Sequence, residues 1–437
     1  MKVVVIGAGS AQFMPELADF CSLDGIGEYE VALVDTEPRR LEIAGGFARA
    51  AAAATSTPVL ITQHPTAATA LDGASVVVTS IGVGLQDSIR PDFEIPERYG
   101  LRQTVADTVG IGAVIRILRT APVLIDIAQQ MVRRCPQALL LNVTNPMAMC
   151  CMALRRAVPQ VASIGLCHST WQTAATVAEL LGVPIAELDF AGAGVNHQVF
   201  LTRLEHHGSD LYPRLREMAH HDPVFSRSVR ADMVRRLGYF VTESSKHNAE
   251  YVPWYLPWDE QVQQFGLPVN PYEQRRDDNE RWIGGAAGIA EGRMPFPMEL
   301  AASGEYAPQI VRSLVDGVDR PIYANVPNRD TDGGTLVDEL QQWGVVEVPA
   351  TAGAAGVVAH RAEPLPPQCA AVNRRYLDVC DLAVRAVVDG VREHVHHAAL
   401  LDANAAATMP PDRIAAMVDE LLDHHQSTGR LPESLWR

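Results

Sequence analysis

Four short segments put polar, titratable or sulfur-bearing side chains where the chain leaves an apolar run. Asn142-Val143-Thr144-Asn145-Pro146 ends the run 138–143, Gly165-Leu166-Cys167-His168-Ser169 follows the run 161–166, and Gly194-Val195-Asn196-His197 follows another near 189–191. A thiolate and an imidazole that leave open positions for oxygen suit a divalent transition metal that polarises a substrate. Taken singly, Cys167 reads as a small buried hydrophobe and His197 as a turn histidine. Their joint placement at strand ends makes them a candidate metal pair. The fourth segment, 238–254, interleaves Tyr239, Glu243, Lys246, His247, Glu250, Tyr251 and Trp254, a mixture suited to proton transfer and to stacking on a sugar.

These segments need a scaffold that brings strand ends to one edge. Residues 2–6 are a β-branched run, followed by Gly7-Ala8-Gly9-Ser10 and an apolar-periodic stretch through Leu17, Phe20 and Cys21, which predicts strand, tight turn and helix. Gly7-x-Gly9 lets the backbone approach a pyrophosphate at a helix N-terminus. Asp35, closing the strand 31–34, is placed to accept both ribose hydroxyls and to repel a 2′-phosphate, which favours NAD over NADP. The third glycine of the dinucleotide fingerprint is absent, since Gln12 and Phe13 occupy that stretch. Further strands at 75–80 and 138–143, with helices at 38–54 and 114–134, predict a doubly wound parallel sheet covered on both faces. A helix over 170–182 continues the pattern. Residues 205–300 are richer in Arg, His, Trp, Tyr and Pro, as expected of a substrate-binding region, and the tail returns to helical patterns at 370–400 and 412–425.

Composition sets the outer limits. The 437 residues carry a formal net charge of −16, which argues against a nucleic-acid partner because phosphate binding needs clustered cations. Hydrophobic residues at 47% and charged residues at 20% describe a globular chain able to bury a large core. The seven cysteines are odd in number and scattered, so a reducing cytoplasm is expected. No apolar run is long enough for a membrane span, and the first apolar run is too short for a signal peptide.

Together the motifs resemble glycoside hydrolase family 4. The resemblance rests on the Gly-Ala-Gly-Ser turn, Asp107-Thr108 with Arg116-x-x-Arg119-Thr120, Asn-x-Thr-Asn-Pro-Met, Gly-Leu-Cys-His-Ser, Asn196-His197, and Thr-Glu-Ser-Ser-x-His-x-x-Glu-Tyr-x-Pro-Trp. It extends into the tail through Val346-Glu347-Val348-Pro349, Leu365-Pro366 and His396-His397-Ala398-Ala399 before Asp402. Within the family the chain looks most like the melibiase-type α-galactosidases, which are akin to α-galacturonidases. The family stands outside the usual two-carboxylate scheme for sugar cleavage. The resemblance implies transient NAD-dependent oxidation at C3, removal of the now acidic C2 proton, elimination of the aglycone, addition of water, and return of the hydride.

It also implies the site. Cys167 and His197 are the metal ligands, with Mn²⁺ the usual ion. NAD is held by Gly7, Gly9, Ser10, Asp35 and Asn142. Asn145 binds sugar hydroxyls, with Arg90 and Asp92 as further sugar contacts. His168 is the general acid, and Tyr251 or His247 the base. The implied architecture is a Rossmann-like domain over 1–195 and a mixed α/β substrate and oligomerisation domain over 196–437, assembled as a homodimer or homotetramer.

Departures from the branch leave alternatives open. Gly110-Ile111-Gly112-Ala113 loses a proline and a glycine of the usual loop, an extra residue precedes Asn196, and Lys246 and Asn248 replace residues that are usually acidic and aromatic. Lys246 could pair with an anionic sugar, which keeps an α-galacturonidase or a sulfonated-sugar glycosidase open. An NAD-dependent 2-hydroxy-acid dehydrogenase shares the nucleotide turn and an Asn-Pro, and predicts one NADH accumulated per substrate. A non-catalytic NAD or sugar sensor on the same scaffold predicts no hydrolysis at all.

Overall fold

Val3, Val4 and Val5 are fully buried in the computed structural model, which describes residues 1–437 except 24, 303 and 437. That continuous apolar run is the signature of a strand covered on both faces, and it is the centre of a parallel set. The strands are β1 (Lys2–Ile6), β2 (Tyr29–Val34), β3 (Val59–His64), β4 (Val76–Thr79), β5 (Leu139–Asn142), β6 (Ser163–Gly165), β7 (Leu188–Val195), β8 (Gln198–His206), β9 (Ser209–Asp210), β10 (Phe240–Val241), β11 (Arg320–Pro327), β12 (Val345–Gly353) and β13 (Gly356–Ala359). Strands β3-β2-β1-β4-β5-β6 are parallel and adjacent in that order, the arrangement of a dinucleotide-binding sheet.

The sheet does not stop there. β11 pairs antiparallel with β6 through Asn325↔Gly165, and β12, β7, β8 and β10 continue the sheet outward, with β13 on β12 and β9 on β8. β7 and β8 are arms of one hairpin, paired at Val195↔Gln198, so His197 lies in its two-residue turn. The two halves of the chain therefore share one sheet. A one-residue irregularity between Ala191 and Gly192 shifts the hairpin's register, and bulges of this kind re-aim strands beside sites.

Helices Met14–Phe20, Pro38–Thr55, Gly110–Arg134 and Met147–Ala157 make the parallel crossovers. Gly110–Arg134 starts several residues before the predicted 114, so its N-terminus follows Asp107-Thr108 directly. Helix Pro367–Val388 packs on Gly110–Arg134 and Met147–Ala157, and Ile414, Met417, Val418, Leu421 and Leu422 of Pro411–Ser427 are buried in the same core. The apolar faces of these two tail helices are therefore filled within the chain, while Leu400 and Leu401 of Glu393–Leu401 stay exposed. No helix among the described residues is long and apolar enough to cross a membrane.

Candidate active site

Both glycine positions of the turn after β1 are sterically closed to any side chain. Gly7 has φ +86, and a Cβ on it would lie 2.2 Å from the Ser80 carbonyl oxygen; a Cβ on Gly9 would lie 2.4 Å from Arg40 Cβ and 2.8 Å from Asp35 Oδ2. The Gly9 N–H donates to Asp35 Oδ2 at 2.9 Å, and the Glu37 N–H to Asp35 Oδ1 at 2.9 Å. The predicted ribose carboxylate is thus fixed against the predicted pyrophosphate turn. Ser10 donates its N–H to Gly7 O at 3.0 Å and caps the short turn Ala11–Phe13, with no side-chain bond at that cap.

Asn142 and Asn145 diverge. Asn142 is fully buried, its Oδ1 accepting from Thr79 Oγ1 at 3.0 Å and its Nδ2 donating to the Thr144 carbonyl at 2.9 Å. Its amide ties β4 to the loop after β5, so the expected cofactor contact through this side chain is corrected: it is a strand-end clamp. Asn145, half-buried beyond a cis bond to Pro146, accepts only from Met147 N–H at 3.1 Å, and among the described residues its Nδ2 has no partner.

Cys167, just beyond β6, and His197, in the β7–β8 turn, meet with Sγ 3.3 Å from Nε2. His197 has φ +62, a left-handed conformation that turns its side chain back over the sheet edge. A third donor completes the group. Glu243, with φ +69 just after β10, brings Oε1 to 3.7 Å from His197 Nε2, and the donor atoms of Cys167, His197 and Glu243 all lie within 4.8 Å of one another.

The far side of His197 is also fixed. Nδ1 lies 3.1 Å from Thr108 Oγ1, Thr108 donates to Asp107 Oδ1 at 2.9 Å, and Arg275 donates to Asp107 Oδ2 at 2.7 Å. A hydroxyl whose proton is given to a carboxylate can only accept from the ring, so Nδ1 carries a proton and the neutral ring keeps its lone pair on Nε2. Arg275 and Arg116 outweigh the burial of Asp107 and hold its carboxyl well below the ordinary range. Burial opposes charge on His197, but its neighbours Cys167 and Glu243 push its pKa up to about 10 when no metal shares the donors.

Two more histidines flank this group with opposite tendencies. His168 Nδ1 lies 2.6 Å from Glu305 Oε1; burial lowers its pKa, yet Glu305 and Cys167 win and raise it to about 9. The ring of His247 sits edge-on to that of His197, centroids 4.7 Å apart, with Nδ1 3.1 Å from Ser244 Oγ and 3.2 Å from Glu243 Oε2. Burial and then His197 lower its pKa to about 4. Its Nε2 has no hydrogen-bond partner among the described residues.

Three predicted residues lie elsewhere. Tyr251 is buried with its hydroxyl donating to the Asn196 carbonyl at 2.7 Å and its ring against Tyr376; burial drives its pKa well above the phenol range. It braces the turn that carries His197 and is not oriented as a base. Asp92 is buried in an ionic cluster with Arg119 and with His425 at 2.8 Å, tying Leu85–Arg98 to the C-terminal helix, so the expected sugar contact is corrected. Arg90 is exposed, its guanidinium 5.4 Å from the Tyr272 ring centroid.

Sequence reasoning did not single out Glu243 or Glu305. Glu243 stood inside the 238–254 segment, but only its backbone conformation, invisible in the sequence, distinguishes it from the neighbouring carboxylates. Glu305 comes from a loop with no motif around it. Two further buried carboxylates act as struts. Glu250 Oε1 accepts from the N–H groups of Thr104, Val105 and Ala106 at 2.6, 2.9 and 3.1 Å and fixes the loop before Asp107. Glu347 accepts from Thr170 Oγ1 at 2.6 Å and from Asn196 Nδ2 at 3.1 Å, beneath the turn that carries His197.

Residues 2–183 match the Family 4 glycosyl hydrolase family, and residues 192–405 match the Family 4 glycosyl hydrolase C-terminal domain. An alpha-galactosidase of Bacillus subtilis (strain 168) is 34% identical over 436 residues, covering 97% of this chain and 98% of that protein. An alpha-galacturonidase of the same organism is 29% identical over 363 residues, covering 75% of this chain and 77% of that protein. A crystal structure of a 6-phospho-alpha-glucosidase from gut microorganisms, in complex with NAD and Mn²⁺, superposes with a TM-score of 0.81 at 17% identity, covering 99% of both chains.

Proposed function

The chain belongs to the family 4 glycosyl hydrolases, and on that premise we propose that it hydrolyses α-galactosides or a related galacto-configured α-hexoside with the help of NAD and a divalent cation, Mn²⁺ by preference. The observation that carries this reading is the convergence of Cys167, His197 and Glu243 beside β6 of the same parallel set in which β1 and β2 end at the glycine turn and Asp35. The whole-length similarity to an alpha-galactosidase supports the choice of sugar. Matches across both halves of the chain disfavour the dehydrogenase reading.

The residues present fit both groups. Ligands about 2.1–2.3 Å from an ion and about 100° apart are roughly 3.4 Å from each other, and Cys167 Sγ and His197 Nε2 stand 3.3 Å apart. The Thr108 relay leaves His197 Nε2 as a lone pair. Gly7 and Gly9, where a Cβ would strike Ser80 and Arg40, keep bare backbone in the turn that would face a pyrophosphate. When bound, NAD supplies a reversible two-electron oxidant for a sugar hydroxyl and the cation supplies a Lewis acid for the neighbouring oxygens.

The protein's own groups divide the proton work. His168, charged at neutral pH and steered by Glu305 through Nδ1, holds a proton at Nε2 for the departing glycosidic oxygen. His247, neutral at the same pH, presents an unpartnered Nε2 that takes the C2 proton. Of the two bases foreseen, His247 has the geometry and Tyr251 does not. Asn145 Nδ2 is free to orient a sugar hydroxyl. Cytoplasmic placement and a homodimeric or homotetrameric assembly complete the proposal, the former resting on the scattered cysteines and none of them paired among the described residues.

Hydrolysis of nitrophenyl α-galactoside, α-galacturonide and α-glucoside, assayed with Mn²⁺, reductant and substoichiometric NAD, tests the reading. We expect many turnovers of the galactoside per NAD and loss of activity with chelator. Activity indifferent to both NAD and metal would refute it.

A further inference from the structure

At the other end of the β7–β8 hairpin, three ligating side chains meet far from the site described above. Glu187 closes the short turn Ile185–Glu187 that leads into β7, and the pairing Leu188↔His206 sets it beside the last residue of β8. His206 Nε2 lies 2.8 Å, and His207 Nε2 3.2 Å, from the same oxygen, Glu187 Oε2. All three donor atoms lie within 4.8 Å of one another. His207 has φ +50, in the tight turn to β9, and this left-handed step folds its ring over that of His206, with centroids 4.1 Å apart.

We propose that Glu187, His206 and His207 form a second cation site, selective for a borderline transition ion such as Zn²⁺. Two imidazoles and one carboxylate match Zn²⁺, Ni²⁺ or Cu²⁺ and mismatch the all-oxygen preference of Mg²⁺ and Ca²⁺. Donors about 2.1 Å from one ion stand roughly 3.0–3.4 Å apart, so the two Nε2–Oε2 separations need little adjustment. In the Nδ1–H tautomer each neutral ring offers the lone pair of Nε2 as a ligand. Side-chain exposures of 45%, 30% and 73% for Glu187, His206 and His207 admit the ion without opening the fold and leave positions for water.

The eight residues of β7 separate this site from His197 by about 26 Å, so the two ions would not share a ligand. An ion here joins the turn before β7 to the turn after β8 and closes the open end of the hairpin whose other end carries a catalytic ligand. The proposal does not rest on the glycosidase reading.

The test is calorimetric titration of Zn²⁺ into full-length Cys167→Ala protein, in which the thiolate ligand of the first site is gone. We expect a binding event that weakens at least about tenfold in Cys167→Ala/His206→Ala/His207→Ala. Cys167→Ala/Glu187→Gln should weaken it similarly and serves if the triple variant fails to fold. Electron paramagnetic resonance with Cu²⁺ should show nitrogen hyperfine structure that the histidine substitutions remove. Zn²⁺ binding that is unchanged by these substitutions, or absent from the Cys167→Ala protein, would mean that the three residues form an ion-pair cluster only.

Discussion

Replacing Thr108 by valine removes one hydroxyl and keeps the side-chain shape. In the protein that hydroxyl accepts from His197 Nδ1 at 3.1 Å and donates to Asp107 Oδ1 at 2.9 Å. The variant leaves the Nδ1–H of His197 buried without an acceptor, at a cost of about 1–3 kcal/mol. Asp107 keeps Arg275, so no carboxylate is orphaned, and Tyr376 holds the Thr108 backbone through its carbonyl, which the substitution does not touch. Loss of the outer partner of a ligating histidine weakens metal binding by about 10–100-fold, or about 1.4–2.7 kcal/mol, in line with the hydrogen-bond figure. Mn²⁺ affinity read from the free-ion paramagnetic signal should fall by that factor, and activity should return in part at high Mn²⁺. An unchanged Mn²⁺ dissociation constant in a folded T108V protein would refute the claim that this relay sets the tautomer.

Three other substitutions probe separate parts of the account. E305Q leaves His168 without its carboxylate, so kcat/KM should drop by about 10²-fold or more on poor leaving groups and far less on nitrophenyl glycosides; equal losses on both would remove Glu305 from the proton path. D92N breaks a fully buried cluster and strands Arg119, which should cost about 3–5 kcal/mol of folding stability in denaturant titrations while the substrate KM of the folded enzyme changes little. Glu250 has its pKa raised from 4.5 to about 7, by burial working against three backbone N–H donors. A raised folded-state pKa gives stability that is fully present below the unfolded value and lost as pH rises through 7. The wild type should therefore lose on the order of 3 kcal/mol relative to E250Q between pH 4.5 and pH 8, measurable as diverging denaturation midpoints; parallel pH profiles would contradict it.

The parallel half of the sheet was legible because doubly covered strands carry unbroken apolar runs. β1, β2, β4 and β5 all announce themselves this way, and Gly7-x-Gly9 with Asp35 marks the turn that joins them. β3 did not stand out, since Leu60 is 61% exposed on an edge strand that alternates irregularly. Helix Leu85–Arg98 was hidden by Pro91 and Pro96 inside it. The antiparallel extension through β11 and β12 was invisible because its pairing to β6 and β7 spans more than a hundred residues.

The site divides in the same way. Cys167 and His197 were found because both follow apolar runs that end at one edge. Glu243 needed its left-handed backbone to be seen, and Asp92 and Asn142 carry the right polarity but spend it inward, on Arg119 and on Thr79. The choice between His247 and Tyr251 depended on which partner each had already taken, a fact that no spacing encodes.

Hydrolysis of an α-galactoside in D₂O, followed by NMR of the released sugar, tests the central claim most directly. The account predicts deuterium at C2 of the product, introduced during turnover and absent from sugar merely incubated with enzyme lacking NAD. Released sugar that carries only hydrogen at C2 after complete hydrolysis would contradict it.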